Sequence, residues 1–154
     1  MAAKAKKSKT KFVKSFTIKR GEWLPSELTQ RRSSYLRGPG DDGNLRMCCL
    51  GVYLHACGIS KAALLYRTMP MSVAHRLDHP KLEALLLKDE AGGGCNDSKF
   101  ADTAATTNDD ASLSLAQREA KIIKRFAAAG IKVRFTGSLL SKRKAQELGL
   151  EALV

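Results

Sequence analysis

The chain lacks any apolar run near the roughly 18–20 residues that a membrane span requires, and no apolar core stands behind its early lysines as one would in a secretory signal. A soluble protein that stays inside the cell, with no membrane partner, is therefore expected. It also lacks cysteines at Cys-x2-Cys spacing, and adjacent cysteines on a helix diverge by about 100° in direction, which argues against a zinc site. The run Gly92-Gly93-Gly94 has no lysine and hydroxyl residue behind it, so it does not make a nucleotide loop. No metal and no cofactor are expected. Internal repeats are missing as well. Acidic residues are absent from positions 1–20, and aromatic residues make up only 6% of the chain.

Against these absences stands a large positive charge. The 154 residues carry a formal net charge of +12. Lys4, Lys6, Lys7, Lys9, Lys11, Lys14, Lys19 and Arg20 supply most of it with no acid between them. A lysine-rich arm of this kind releases counterions when it lies along a phosphate backbone, so it gives salt-sensitive and sequence-blind attraction to nucleic acid. A solvated tail that only aids solubility is the competing reading, because the aromatic residues that interleave the cations of dedicated binders are missing here.

Residues 1–11 bury too little apolar surface to offset the entropy of ordering and are expected to form a disordered basic arm. A compact domain follows over 12–136, with a basic extension over 137–154. The stretch from Phe12 to Ile18 is rich in strand formers and leads to Trp23, the single tryptophan and an expected core anchor. The segment Gly38-Pro39-Gly40-Asp41-Asp42-Gly43 is a loop signal. Asn44 is placed as the N-cap of a helix over Leu45 to Cys57, stopped by Gly58. Ser60 caps a short helix through Leu65, and Pro80 opens another over Leu82 to Leu87. From Gly92 to Asp110, Gly, Asn, Asp and Thr dominate, which reads as a long loop around Cys95 and Asn96. Ser114 with Gln117 three residues on is a capping box, followed by Ile122, Ile123, Phe126 and Ala127 on one helix face and Gly130 as the stop. Ile131, Val133 and Phe135 alternate with Lys132 and Arg134 as a half-buried strand should. A last basic helix is placed over 141–148. The sum is an α+β fold, a helix-rich single domain with a small β-sheet.

Candidate chemistry centres on Arg46 to Gly58. A cysteine at a helix start can have its pKa lowered by the helix dipole. Cys49-Leu50-Gly51 followed by an aliphatic helix resembles the cell-wall amidase and endopeptidase branch of papain-like hydrolases, which would make Cys49 the nucleophile. His55 cannot serve as its base, because six residues at about 1.5 Å rise place it about 9 Å along the same helix. His75 or His79 would have to fold back. The plainer reading makes Cys48, Cys49 and Cys57 small buried residues that let elements pack closely. With Cys95 they are expected to be reduced thiols. Asn108-Asp109-Asp110 reads as a turn before a helix rather than as a cation site. Lys121, Lys124, Arg125, Lys132 and Arg134, with Lys142, Arg143 and Lys144, form a second basic group, which is either a cationic surface or a solvated face.

Taken together, Arg46 to Gly58, Asn108-Asp109-Asp110, the step from Leu113-Ser114 into Arg118-Glu119, and the close Gly130-Ile131-Lys132-Val133-Arg134-Phe135 resemble, in order and spacing, a group of small proteins encoded by tailed bacteriophages. The resemblance spans roughly residues 12–135. It implies a phage origin, hence the host cytoplasm, and no particular activity. The expected function is non-enzymatic binding of nucleic acid or a host nucleoprotein complex, with inhibition of a host machine or defence system as one form of it. The residues expected to carry it are Lys4, Lys6, Lys7, Lys9, Lys11, Lys14, Lys142, Arg143 and Lys144. The alternatives are a papain-like thiol hydrolase using Cys49 and a virion or packaging component.

Overall fold

A computed structural model of the chain describes residues 9–25, 35–40, 43–89, 94–138 and 149. Period-two alternation makes β1 (Ser15–Lys19) bury Phe16 and Ile18 while Ser15, Thr17 and Lys19 face solvent. A single 3₁₀ turn, Arg20–Glu22, then delivers Trp23 fully into the core. Order starts earlier than the sequence indicates. Thr10 is buried, and its amide donates to Asp78 Oδ1 at 2.7 Å while its hydroxyl bonds the same oxygen. Lys9 to Lys11 therefore belong to the folded unit rather than to the arm, and residues 1–8 lie outside the described residues.

The expected helix start at Asn44 moves to Cys48. Leu45, Arg46 and Met47 are extended, because their backbone pairs antiparallel with Arg37–Pro39, forming β2 (Arg37–Pro39) and β3 (Leu45–Met47). Cys48 then caps α1 (Cys49–Ala56), its Sγ accepting from the Gly51 amide at 3.5 Å. α1 sits so close to the chain before β2 that a Cβ on Gly51 would lie 1.8 Å from the Leu36 carbonyl oxygen. Only glycine fits there. Ser60 caps α2 (Lys61–Leu64) as expected, a 3₁₀ helix covers Pro70–Arg76, and Pro80 opens α3 (Pro80–Leu86) from its first position.

The expected loop over 92–110 is the largest correction. Leu87–Asp89 and Cys95–Asp97 pair antiparallel as β4 and β5, and α4 (Lys99–Asp109) follows with Ser98 as its N-cap. Small residues at Ala101 and Ala104 face the core. Thr103, Thr106 and Thr107 bond back to the carbonyls of Lys99, Asp102 and Thr103, so their hydroxyls are satisfied within the helix itself. Asp110 accepts from Ser112 and makes the turn into α5 (Leu115–Ala128), which carries the expected Ser114/Gln117 capping box. The buried face of α5 is Arg118, Ile122 and Phe126, at four-residue spacing. Ile123 and Ala127 point outward, one step around the helix from where the sequence placed them.

Gly130, at φ +74°, turns the chain into β6 (Lys132–Thr136), which runs parallel to β1 with Ser15 opposite Lys132, Thr17 opposite Arg134 and Lys19 opposite Thr136. The described residues thus form a helix-rich α+β domain whose sheet structure is three separate two-stranded ribbons. Its core is one cluster in which the Phe126 ring meets Phe16, Tyr53 and Phe100 edge-on at 5.0–5.5 Å.

Candidate nucleic-acid interface

Parallel pairing aims the side chains of opposed residues to the same side, so the β1–β6 ribbon has an inner and an outer face. Phe16, Ile18, Val133 and Phe135 form the inner one. The outer face carries Ser15, Thr17 and Lys19 from β1 and Lys132, Arg134 and Thr136 from β6, all exposed. Three cations and three hydroxyls occupy these six places, and no acid does. Each cation lies opposite a hydroxyl rather than opposite another cation, which spares the ribbon the repulsion of like charges directly across strands. One partial neutralisation comes from Glu22, whose carboxylate lies 3.6 Å from the Lys19 ammonium with both side chains well exposed. Lys9, Lys11 and Lys14 are exposed along the chain that leads into this ribbon.

Not every basic residue of the sequence is available. Arg20 grips Glu119 through two bonds of 2.6 and 2.7 Å, donates to the Gly137 carbonyl and lies over the Phe135 ring. That carboxylate raises the pKa of Arg20 above its ordinary value. The side chain ties the end of β1 to α5 and the end of β6, so it is structural rather than part of the arm. Arg125 donates from Nε to Thr107 Oγ1 at 2.7 Å and serves the α4–α5 contact. Lys121 and Lys124 are exposed on α5. Of the residues expected to contact nucleic acid, Lys9, Lys11 and Lys14 are placed at the surface, while Lys4, Lys6, Lys7, Lys142, Arg143 and Lys144 lie outside the described residues. The expected helix over 141–148 lies there too. Lys132 and Arg134, which the sequence grouped with the C-terminal cations, are instead brought beside Lys19 by the parallel pairing.

The alternative thiol site has a different character. Cys49 is fully buried, its Sγ donates to the Ala104 carbonyl at 3.7 Å, and its amide donates to Asn108 Oδ1 at 3.1 Å. Burial pushes its thiol well above the ordinary range, and that of Cys48 up to about 12. The helix dipole does not offset this desolvation. His75 is exposed at the end of the 3₁₀ helix, and the half-buried His79 ring sits 6.2 Å from that of Phe12. Neither histidine bonds Cys49. Asn108, read from sequence as part of a turn, is the polar hub of the core. Its Oδ1 accepts from Trp23 Nε1 at 2.8 Å as well as from Cys49, its Nδ2 donates to the Leu24 carbonyl, and its own carbonyl accepts from the buried Arg118 Nη1 at 3.0 Å. Three of the segments singled out in the sequence, Arg46 to Gly58, Asn108-Asp109-Asp110 and the step into Arg118, therefore meet at Asn108. The only sequence signal for it was Asn in an otherwise acidic run.

Among the described residues no group of three or more His, Cys, Asp or Glu side chains is placed to hold a metal ion, and no helix is long and apolar enough to cross a membrane. Comparison of the chain with protein-family models, with curated proteins and with solved structures finds no match.

Proposed function

We propose that this is a non-enzymatic phage protein that binds the phosphate backbone of nucleic acid, free or within a host nucleoprotein complex. The observation that carries the reading is the outer face of the β1–β6 ribbon, with Lys19, Lys132 and Arg134 interleaved with hydroxyls and no acid among the paired positions. Ammonium and guanidinium groups neutralise phosphates, and serine and threonine hydroxyls donate to phosphate oxygens. Such contacts position a protein on nucleic acid without reading its sequence. The lysines that precede β1 extend the same field. The buried, protonated Cys49 weighs against the thiol hydrolase.

The test is fluorescence anisotropy with a labelled DNA duplex over a range of salt. Lys132→Ala with Arg134→Ala removes two exposed cations and leaves the core untouched, so the slope of log affinity against log salt falls by about 1.8 for a duplex. Removal of residues 1–8 takes away Lys4, Lys6 and Lys7 and flattens the slope by about 2.7, and the Thr10–Asp78 anchor is retained. Identical slopes for the parent and both variants would refute the proposal.

A further inference from the structure

The β1–β6 ribbon has a second asset that the outward side chains do not use. Lys132 N–H donates to the Lys14 carbonyl at 2.8 Å. With the register of Phe16 opposite Val133 and Ile18 opposite Phe135, this means that the amide groups of Phe16 and Ile18 face β6. Those of Ser15 and Thr17 face the other way, where no strand pairs with β1 among the described residues. Along that edge runs an open groove of about 370 Å³. One wall is β1. Met47, Val52 and Ala56 contribute an apolar wall opposite, and Lys11, Lys19 and His55 stand at the rim with Glu22 as its only acid.

From this we propose that the free edge of β1 is a docking site for an extended peptide segment of a partner protein, one that alternates apolar and acidic residues and adds to the ribbon as a third strand. Three features select that occupant. Ser15 and Thr17 offer two N–H donors and two C=O acceptors in alternation, which an extended polypeptide matches and a phosphate backbone, holding acceptors only, does not. The apolar wall takes every second side chain of the added strand. The cationic rim takes the acidic ones between them, and charge complementarity of this kind steers the encounter and selects against basic segments. β1 has five residues, so the added segment pairs over about 16 Å. The site goes beyond the nucleic-acid reading, since it uses edge amides and the α1 wall rather than Lys132 and Arg134.

The experiment uses the full chain and a labelled decapeptide of alternating valine and glutamate, with two versions N-methylated on every second amide in the two opposite phases. Only one phase turns its amides toward β1. That version should bind about tenfold more weakly than the parent peptide while the other binds like it. Amide hydrogen exchange at Ser15 and Thr17 should slow on addition of the parent peptide. Ala56→Trp, which fills the groove with an uncharged side chain away from β1, should abolish peptide binding and leave the salt slope for the duplex unchanged; Lys132→Ala with Arg134→Ala should do the reverse. Equal binding of both methylated versions would overturn the inference, as would peptide binding without protection of these amides. Protection produced by an oligonucleotide, or by raising the protein concentration alone, would also overturn it, by assigning the edge to nucleic acid or to a second copy of the chain.

Discussion

Asn108→Ala is the most informative single perturbation of the core. Asn108 Oδ1 is the acceptor for two buried donors, the Trp23 indole N–H at 2.8 Å and the first amide of α1 at 3.1 Å. Its Nδ2 in turn satisfies the Leu24 carbonyl at 3.0 Å. Alanine orphans both donors and takes one donor from that carbonyl. An orphaned buried donor costs about 1–3 kcal/mol, so the two donors alone place the loss near 4 kcal/mol. This is a large share of the roughly 5–15 kcal/mol that holds a typical domain folded. For a chain of this size, each kcal/mol moves the thermal midpoint by about 2–4 °C, so the midpoint falls by about 8–16 °C. The chain has one tryptophan, and its indole is one of the orphaned groups, so Trp23 fluorescence reports both the local change and the global transition. Lys124→Ala, exposed on α5, is the control and should move the midpoint little. If Asn108→Ala shifted the midpoint no more than that control, the hub would not carry the energy assigned to it.

Gly51→Ala should cost about 3 kcal/mol or more, because the added methyl meets the Leu36 carbonyl, which is backbone and cannot rotate away; urea unfolding checks it, and a near-neutral result would show that α1 can slide. The thiols of Cys48 and Cys49 should resist iodoacetamide until the protein unfolds, read by mass spectrometry of native and denatured samples. Burial raises the folded pKa of Cys48 from 9.0 to about 12, so the folded state holds its proton more tightly than the unfolded state does. Its contribution to stability is therefore full below about pH 9 and is lost as pH climbs toward about 12, at up to about 1.4 kcal/mol per pH unit. Cys48→Ala should weaken that alkaline loss, and an unchanged pH profile would count against it.

The elements that were legible in the sequence are those specified by local chemistry. Ser114 with Gln117, Ser60, Pro80 and the alternation from Ile131 to Phe135 each carry their own signal within a few residues, and each element formed where that signal lay. α4 was missed because its threonines and small residues have no strong helical period and its partners are distant. Ala101 and Ala104 face the core and Asn108 reaches Trp23, so tertiary packing rather than propensity makes the helix. The start of α1 was misplaced for the reverse reason. Asn44 is a good cap in isolation, yet Leu45 to Met47 gain more by pairing with Arg37 to Pro39, and the cap passes to a cysteine, a residue type rarely considered for it. Among the site residues, the lysines before β1 were visible as a charge run. The joining of Lys19 to Lys132 and Arg134 was not, because it depends on parallel pairing between the two ends of the chain, which no local pattern announces.

That pairing also bears on how the charge is used. A disordered basic tail attracts polyanions whether or not the protein is folded, but the ribbon face exists only when residues 15–19 and 132–136 are held in register. The fold invests in this register: Arg20, the last cation of the arm by sequence, is spent on Glu119, the Gly137 carbonyl and the Phe135 ring, locking the end of β1 against α5 and β6. Phe16 and Ile18 anchor the strand from inside. A surface that served solubility alone would be as well served by mixed charges, since ion pairs across strands stabilise a ribbon whereas an all-cationic face does not. Here the outward positions hold no acid, and the like charges are kept tolerable by placing a hydroxyl across from each one. The arrangement keeps the net positive field while limiting its cost to the fold, which is the compromise expected of a face whose counter-charge comes from a partner.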